Sequence, residues 1–150
     1  MEIEHLSFFG EQEHRVDPQG RISLPTRFRD AFKGGIVLTR GYDPCIVAWT
    51  PSQWKVFASQ VAGLPLNKAK NRRIRRLNFS AARPLETDRQ GRVLLPTSLR
   101  HYAGINIGEE VVIAGMGDFL EIWANEAWTE ESAFLDQEGQ ILAETSEEHS

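Results

Sequence analysis

Two short stretches of this 150-residue chain share one pattern: Asp17-Pro18-Gln19-Gly20-Arg21 and Asp88-Arg89-Gln90-Gly91-Arg92. In each, the aspartate accepts local backbone hydrogens and the glycine permits a positive φ, so the pattern is a turn. The arginine that follows carries a forked donor set that fits guanine O6 and N7 or phosphate oxygens. Read as hairpin tips, the two turns project Arg21 and Arg92 beyond a sheet, with Asp17 and Asp88 holding the arginines or tightening the turns. The plainer reading is an exposed ion pair across a turn, which contributes little. Arg15, Arg27 and Arg29 add positive charge near the first turn, and Arg89 lies inside the second.

The charge distribution supports a polyanionic partner. All 17 Lys and Arg residues lie in positions 1–100, against 9 acids, a net of +8. Positions 101–150 hold 12 acids and no Lys or Arg, so the overall net charge of −4 describes neither part. Six of the nine residues Lys68–Arg76 are basic, in a stretch with helical character. Such a cluster fits phosphate attraction without sequence preference, or simply a solvated helix face. Enzyme chemistry finds no support. His5, His14, His101 and His149 have no metal-ligand spacing. No phosphate loop or dinucleotide fingerprint occurs. Cys45 falls in an apolar strand, where a core thiol is the ordinary reading. No metal or cofactor is expected. The single cysteine suits a reducing compartment. No run of about 18 apolar residues occurs, and the acidic start has no secretory leader pattern.

The elements that must position these residues come in two copies. Aligning Asp17–Arg29 with Asp88–Arg100 gives eight identities in thirteen positions at an offset of 71, Arg29 matching Arg100. After a three-residue insertion, Gly41 aligns with Gly115, Trp49 with Trp123 and Trp54 with Trp128. Two copies fall short of a solenoid and point to a pseudo-two-fold pair around a shared core. Each copy reads as strand, D-x-x-G turn, strand, short helix, two strands joined by a turn, and a helix. In the first copy these are Phe8–Val16, Arg21–Leu24, Thr26–Phe32, Ile36–Arg40 and Cys45–Trp49. The closing helix is capped by Thr50-Pro51 and runs to about Val61. In the second copy, strands end at Thr87 and cover Arg92–Leu95, Glu110–Ala114 and Phe119–Trp123. Its helices start at Thr97 and about Asn125. The recurring tryptophans fit core or subunit contacts.

These features together resemble the MraZ family: the doubled turn, each followed by a strand and Pro-Thr, strand pairs ending in Trp, and a helix with a second Trp. The resemblance spans Phe8 to Trp128. It implies a β-rich α+β fold with two pseudo-two-fold-related, swapped-hairpin β-barrel units of the SpoVT–AbrB type, each with short helices. It further implies a cytoplasmic, nucleoid-associated bacterial transcriptional regulator. Such a protein binds double-stranded DNA at short G-rich direct repeats ahead of the division and cell-wall gene cluster, which includes its own gene. The subunits form a ring-shaped homo-oligomer with head-to-tail contacts. Arg21 and Arg92 are the positions to which the family's DNA-contacting arginine carries over. Members often have Lys two residues before the first of these. Gln19 stands here, uncharged but able to pair with adenine or phosphate.

The expected organisation is a first repeat over 1–66, a basic helical linker over 67–78, a second repeat over 79–135 and an acidic, disordered tail over 136–150. DNA-contact candidates are Arg21, Arg92, Arg15, Gln19, Arg27, Arg29 and Arg89, with Asp17, Gly20, Asp88 and Gly91 supporting the turns. The competing expectation is a ring-forming structural or protein-interaction module, antitoxin-like, without specific DNA readout. In that case Arg21 and Arg92 serve subunit contacts.

Overall fold

A computed structural model describes residues 7–149; the acidic start and His5 lie outside the described residues. Eight strands form two sheets. The larger has six antiparallel strands, and its members are β1 (Glu11–Arg15), β3 (Ile36–Arg40), β4 (Ile46–Trp49), β5 (Arg83–Leu85), β7 (Glu110–Gly115) and β8 (Leu120–Ala124). Their spatial order is β1-β7-β8-β4-β3-β5. The smaller sheet is a two-stranded ribbon of β2 (Arg21–Ser23) and β6 (Arg92–Leu94). Four α-helices complete the fold: α1 (Pro51–Ala62), α2 (Ala69–Phe79), α3 (Thr97–Ala103) and α4 (Asn125–His149). A 3-10 helix covers Thr26–Phe32.

The two copies interleave. β1 of the first pairs with β7 of the second, and β5 of the second pairs with β3 of the first. The register exposes the pseudo-two-fold axis. In the ribbon, Ile22 pairs with Val93, its own counterpart at the offset of 71. In the larger sheet Val47 pairs with Glu121, its counterpart at the offset of 74, as Ala48 pairs with Leu120 and Ile46 with Ile122. Both central pairs therefore lie on the axis. The copies are α+β units that share one core, as the repeat predicts.

Strand alternation builds that core. Ile36, Leu38, Ile46, Ala48, Ile113 and Ile122 face inward, where they meet Ile22 and Val93 of the ribbon and Phe28, Phe32 and Leu99 of the short helices. The opposite residues, Val37, Val47, Trp49 and Trp123, face outward under α1 and α4, against Trp54, Phe57 and Trp128. Buried on both faces, β3, β4 and β7 are nearly continuous apolar runs. The sheet edges are guarded: β1 is charged and exposed, and β5 is three residues long with Pro84 at its centre.

Local signals account for most boundaries. The Thr50 hydroxyl accepts from the Gln53 N–H at 3.2 Å, and Pro51 opens α1. The first strand starts at Glu11 rather than Phe8, because Gly10 turns the chain at φ 80°. Phe8 instead forms one bridge to Gly117 and inserts between Phe28 and Phe32, with ring centroids 5.1 and 5.4 Å away. The segment from 136, expected as a disordered tail, continues α4 to His149. Phe134 and Leu135 recur seven residues later as Ile141 and Leu142, extending the stripe begun by Trp128. Gln140 donates to Glu144 at 3.3 Å one turn on. Composition suggested disorder, but helix formers at helical spacing carry the element onward.

Candidate nucleic-acid interface

Each D-x-x-G turn is closed by its aspartate. Asp17 Oδ1 accepts from the N–H groups of Gln19 (2.9 Å) and Arg21 (2.8 Å), and Oδ2 accepts from Arg21 Nε at 2.8 Å. The second copy repeats this: Asp88 Oδ1 accepts from Gln90 and Arg92 (both 2.9 Å), and Oδ2 from Arg92 Nε at 2.7 Å. Burial pushes the Asp17 carboxyl up, but the Arg21 and Gln19 N–H groups and the Arg21 guanidinium outweigh it and hold it below the ordinary value. Asp88 is likewise held low, first by the Arg92 N–H. Anchored through Nε, each guanidinium keeps its outer edge for another acceptor. Arg21 spends one Nη on Gln19 Oε1 at 3.3 Å. Arg92 has no further protein partner among the described residues.

The turns are not hairpin tips. The strands flanking Asp17–Gly20 do not pair with each other, since β1 joins β7 and β2 joins β6. Each turn is a corner between the two sheets, and its arginine is the first residue of a ribbon strand. Local sequence announces a turn equally well in both cases; the crossed pairing imposed by the pseudo-two-fold decides between them. The consequence is closer grouping. Arg21 lies opposite Leu94 and Ser23 opposite Arg92, while Ile22 and Val93 turn inward. The two arginines are therefore diagonal neighbours on one outer face, roughly 7–8 Å apart by strand geometry.

Behind the ribbon the copies cross again. Leu24 N–H donates to Gly91 O, and Leu95 N–H to Gly20 O, both at 2.9 Å. Gly20 and Gly91 take φ of 83° and 75°, as the turn requires. Arg29 Nε donates to Leu24 O at 3.0 Å and packs over Gly91; Arg100 Nε donates to Leu95 O at 3.3 Å and lies over Gly20. Arg100 thus belongs to the site as the twin of Arg29. Sequence reading left it out, although the repeat alignment pairs the two. His14 was also missed. It is half-buried on β1, and its pKa is lowered first by burial, with Asp17 and Arg29 close enough to act on it in opposite directions.

Other candidates fall away from the ribbon or are spent on structure. Arg15 Nη1 donates to Gly108 O at 2.6 Å, with Glu110 at 3.9 Å. Arg27 donates to Phe9 O (3.2 Å) and Gln12 Oε1 (3.4 Å) and covers the Phe28 ring at 4.4 Å. Gln19 and Arg89 are exposed at the two corners. In α2, Arg72 and Arg75 donate to Leu66 O and Ala62 O. Phe79 of α2 packs on Trp54, on the side of the large sheet away from the ribbon. The basic linker therefore does not adjoin the corner arginines. Among the described residues no group of His, Cys, Asp or Glu could hold a metal ion. Cys45 is buried, and burial raises its pKa, as fits a core thiol. No described helix is long and apolar enough to cross a membrane.

Comparison with known proteins agrees with this two-copy architecture. The family described as "MraZ protein, putative antitoxin-like" matches residues 7–77 and again 78–147. The chain is 39% identical over 137 residues to the transcriptional regulator MraZ of Roseiflexus sp. (strain RS-1), covering 91% of this chain and 94% of the relative. It is 41% identical over 138 residues to the protein of the same name from Herpetosiphon aurantiacus, again covering 91% and 94%. For that of Thermomicrobium roseum the identity is 39%, with 91% and 95% covered. With both copies matched and relatives aligned almost end to end, the chain belongs to the MraZ family.

Proposed function

We propose that this protein is a transcriptional regulator, not an enzyme, that binds double-stranded DNA through the β2–β6 ribbon. One observation carries the reading: the pseudo-two-fold fold sets two Asp-anchored arginines as diagonal neighbours on the outer face of one ribbon. A B-DNA major groove admits a two-stranded ribbon. Anchoring through Nε fixes each guanidinium and leaves its outer edge for guanine O6 and N7 or for phosphate. The relatives' names supply the regulatory context. Gln19 and Arg89 at the corners add contacts to a flanking base or phosphate. Arg29 and Arg100 raise the local positive potential from behind.

The finer reading places the binding sites at G-rich direct repeats upstream of the protein's own gene, at the head of the division and cell-wall gene cluster. The protein acts on the nucleoid in the cytoplasm as a ring-shaped homo-oligomer. The exposed Phe134, Leu135, Ile141 and Leu142 of α4 support subunit contacts. A ring would present ribbons at fixed spacing, so direct repeats at matching spacing gain avidity. The domain division proposed is 1–66 and 79–135 around the linker 67–78.

Fluorescence anisotropy with the upstream duplex and a shuffled control, across a salt series, tests this. Preference for the upstream DNA should persist at physiological salt. Arg21→Ala and Arg92→Ala should each lose about 5- to 150-fold in specific affinity, the equivalent of ~1–3 kcal/mol, and elute with the parent's assembly size. Variants that bind normally but fail to assemble would support the interaction-module reading instead.

A further inference from the structure

Across the large sheet from the ribbon lies a cavity of about 320 Å3, near the lower bound for small-molecule sites. Residues of both copies line it. Trp49 of β4 sits between Phe57 of α1 and Phe119, each with its ring centroid 4.7 Å away. Those neighbours occupy the indole faces and leave its edge. Among the described residues the Trp49 indole N–H and Nε of Arg40, both on lining residues, are buried without a hydrogen-bond partner, as is Nε1 of Trp128 outside the lining. A buried donor without an acceptor is costly, so the site is suited to a ligand that brings one.

The second feature is a carboxylate. Glu121 occupies the position that Val47 holds in the other copy, directly across the pseudo-two-fold. Alternation places it on the outward, otherwise apolar face with Val47, Trp49 and Trp123. Glu121 accepts from Trp123 Nε1 at 2.9 Å and from the Cys45 thiol. Burial, then the charge of nearby Asp43, pushes its carboxyl up. Asp43 and Asp118 also line the cavity. Among the described residues none of these three acids has an ion-pair partner. The one cation in the lining, Arg40, lies over the Tyr102 ring at 4.5 Å. Three carboxylates against one guanidinium, with aromatic walls, favour a positively charged guest.

We propose that this cavity binds a small organic cation, an amine or quaternary ammonium bearing an oxygen acceptor. Glu121 serves as its counter-ion, and the Trp49 indole N–H donates to its oxygen. The inference is independent of the DNA reading and uses none of the ribbon residues.

The test uses the full chain without DNA, labelled with 5-fluorotryptophan and followed by 19F NMR. The chain has four tryptophans, and Trp49→Phe identifies the Trp49 signal. Choline is titrated at constant ionic strength against sodium chloride. The Trp49 signal should shift saturably with choline. Tetramethylammonium, which has no oxygen, should bind more weakly. Glu121→Gln, which keeps the shape, should weaken choline binding about ten-fold. If Trp49→Phe does not fold, the Trp54→Phe, Trp123→Phe and Trp128→Phe spectra assign the signal by elimination. An unchanged Trp49 signal, the result expected if a second copy covers the cavity, overturns the proposal. Equal choline affinity in Glu121→Gln overturns it as well.

Discussion

Gly20 and Gly91 occupy the same place in identical motifs, yet replacing them with alanine should have unequal costs. Both have positive φ, so either alanine incurs the left-handed backbone penalty of about 1–2 kcal/mol. At Gly20 an added Cβ would stand 3.5 Å from Arg100 Nε, an ordinary contact. At Gly91 it would overlap the middle of the Arg29 side chain, with Cδ at 2.5 Å and Nε nearer still. Arg29 must then move and give up its bond to Leu24 O, a charged-donor bond worth about 1.5–3 kcal/mol. The expectation is ~1–2 kcal/mol for Gly20→Ala and ~2.5–5 kcal/mol for Gly91→Ala. Urea unfolding at one fixed protein concentration reads both. In an Arg29→Ala background the overlap is gone, and Gly91→Ala should cost only the backbone share. The reasoning fails if Gly20→Ala is the more damaging change. It fails equally if Arg29→Ala leaves the cost of Gly91→Ala unchanged.

Further predictions concern β1 and its surroundings. Burial lowers the His14 pKa below its ordinary 6.5, so the unfolded chain takes up a proton before the folded one. Stability should fall as pH drops through 6.5, and His14→Gln should flatten that part of a melting-temperature profile; an unchanged slope assigns it to other groups. A Cβ on Gly115 would stand 2.5 Å from Phe8 O and Phe9 N, so Gly115→Ala should unseat Phe8 from between Phe28 and Phe32. Phe8→Ala should cost about 3–5 kcal/mol, and adding Gly115→Ala should add little in chemical unfolding; full additivity would show that the two act separately.

What the sequence revealed and what it hid divide along a physical line. The φ of Gly20 and Gly91, the Thr50–Pro51 cap and the strand character of β3 and β4 depend on residues within a few positions, and each was legible. Strand partners depend on the whole fold. Local sequence marks β1 as a strand, but not that Arg15 will lie against Glu110. The hairpin-tip reading failed there. Arg100 could have been found, since its match to Arg29 is in the repeat itself. His14 could not, because its surroundings come from elements that only the crossed pairing brings together. The α4 extension was concealed by composition, its apolar spacing outweighed in reading by its acids.

The register also says what kind of DNA site a single subunit would suit. Ile22 and Val93 lie on the pseudo-two-fold, so Arg21 and Arg92 are related by it. If the ribbon enters a groove, that axis passes near the local two-fold of the duplex backbone, and the two arginines address opposite strands. A pseudo-symmetric protein surface favours a pseudo-symmetric site. Within one subunit's footprint the two contacted bases should therefore lie on opposite strands. The corners themselves break the symmetry, since Pro18 stands where Arg89 does. The second corner carries the extra charge at its tip, whereas the first has Gln19 tied to Arg21. The half-site under Arg92 and Arg89 should accordingly depend more on salt, and the half-site under Arg21 more on the identity of its base.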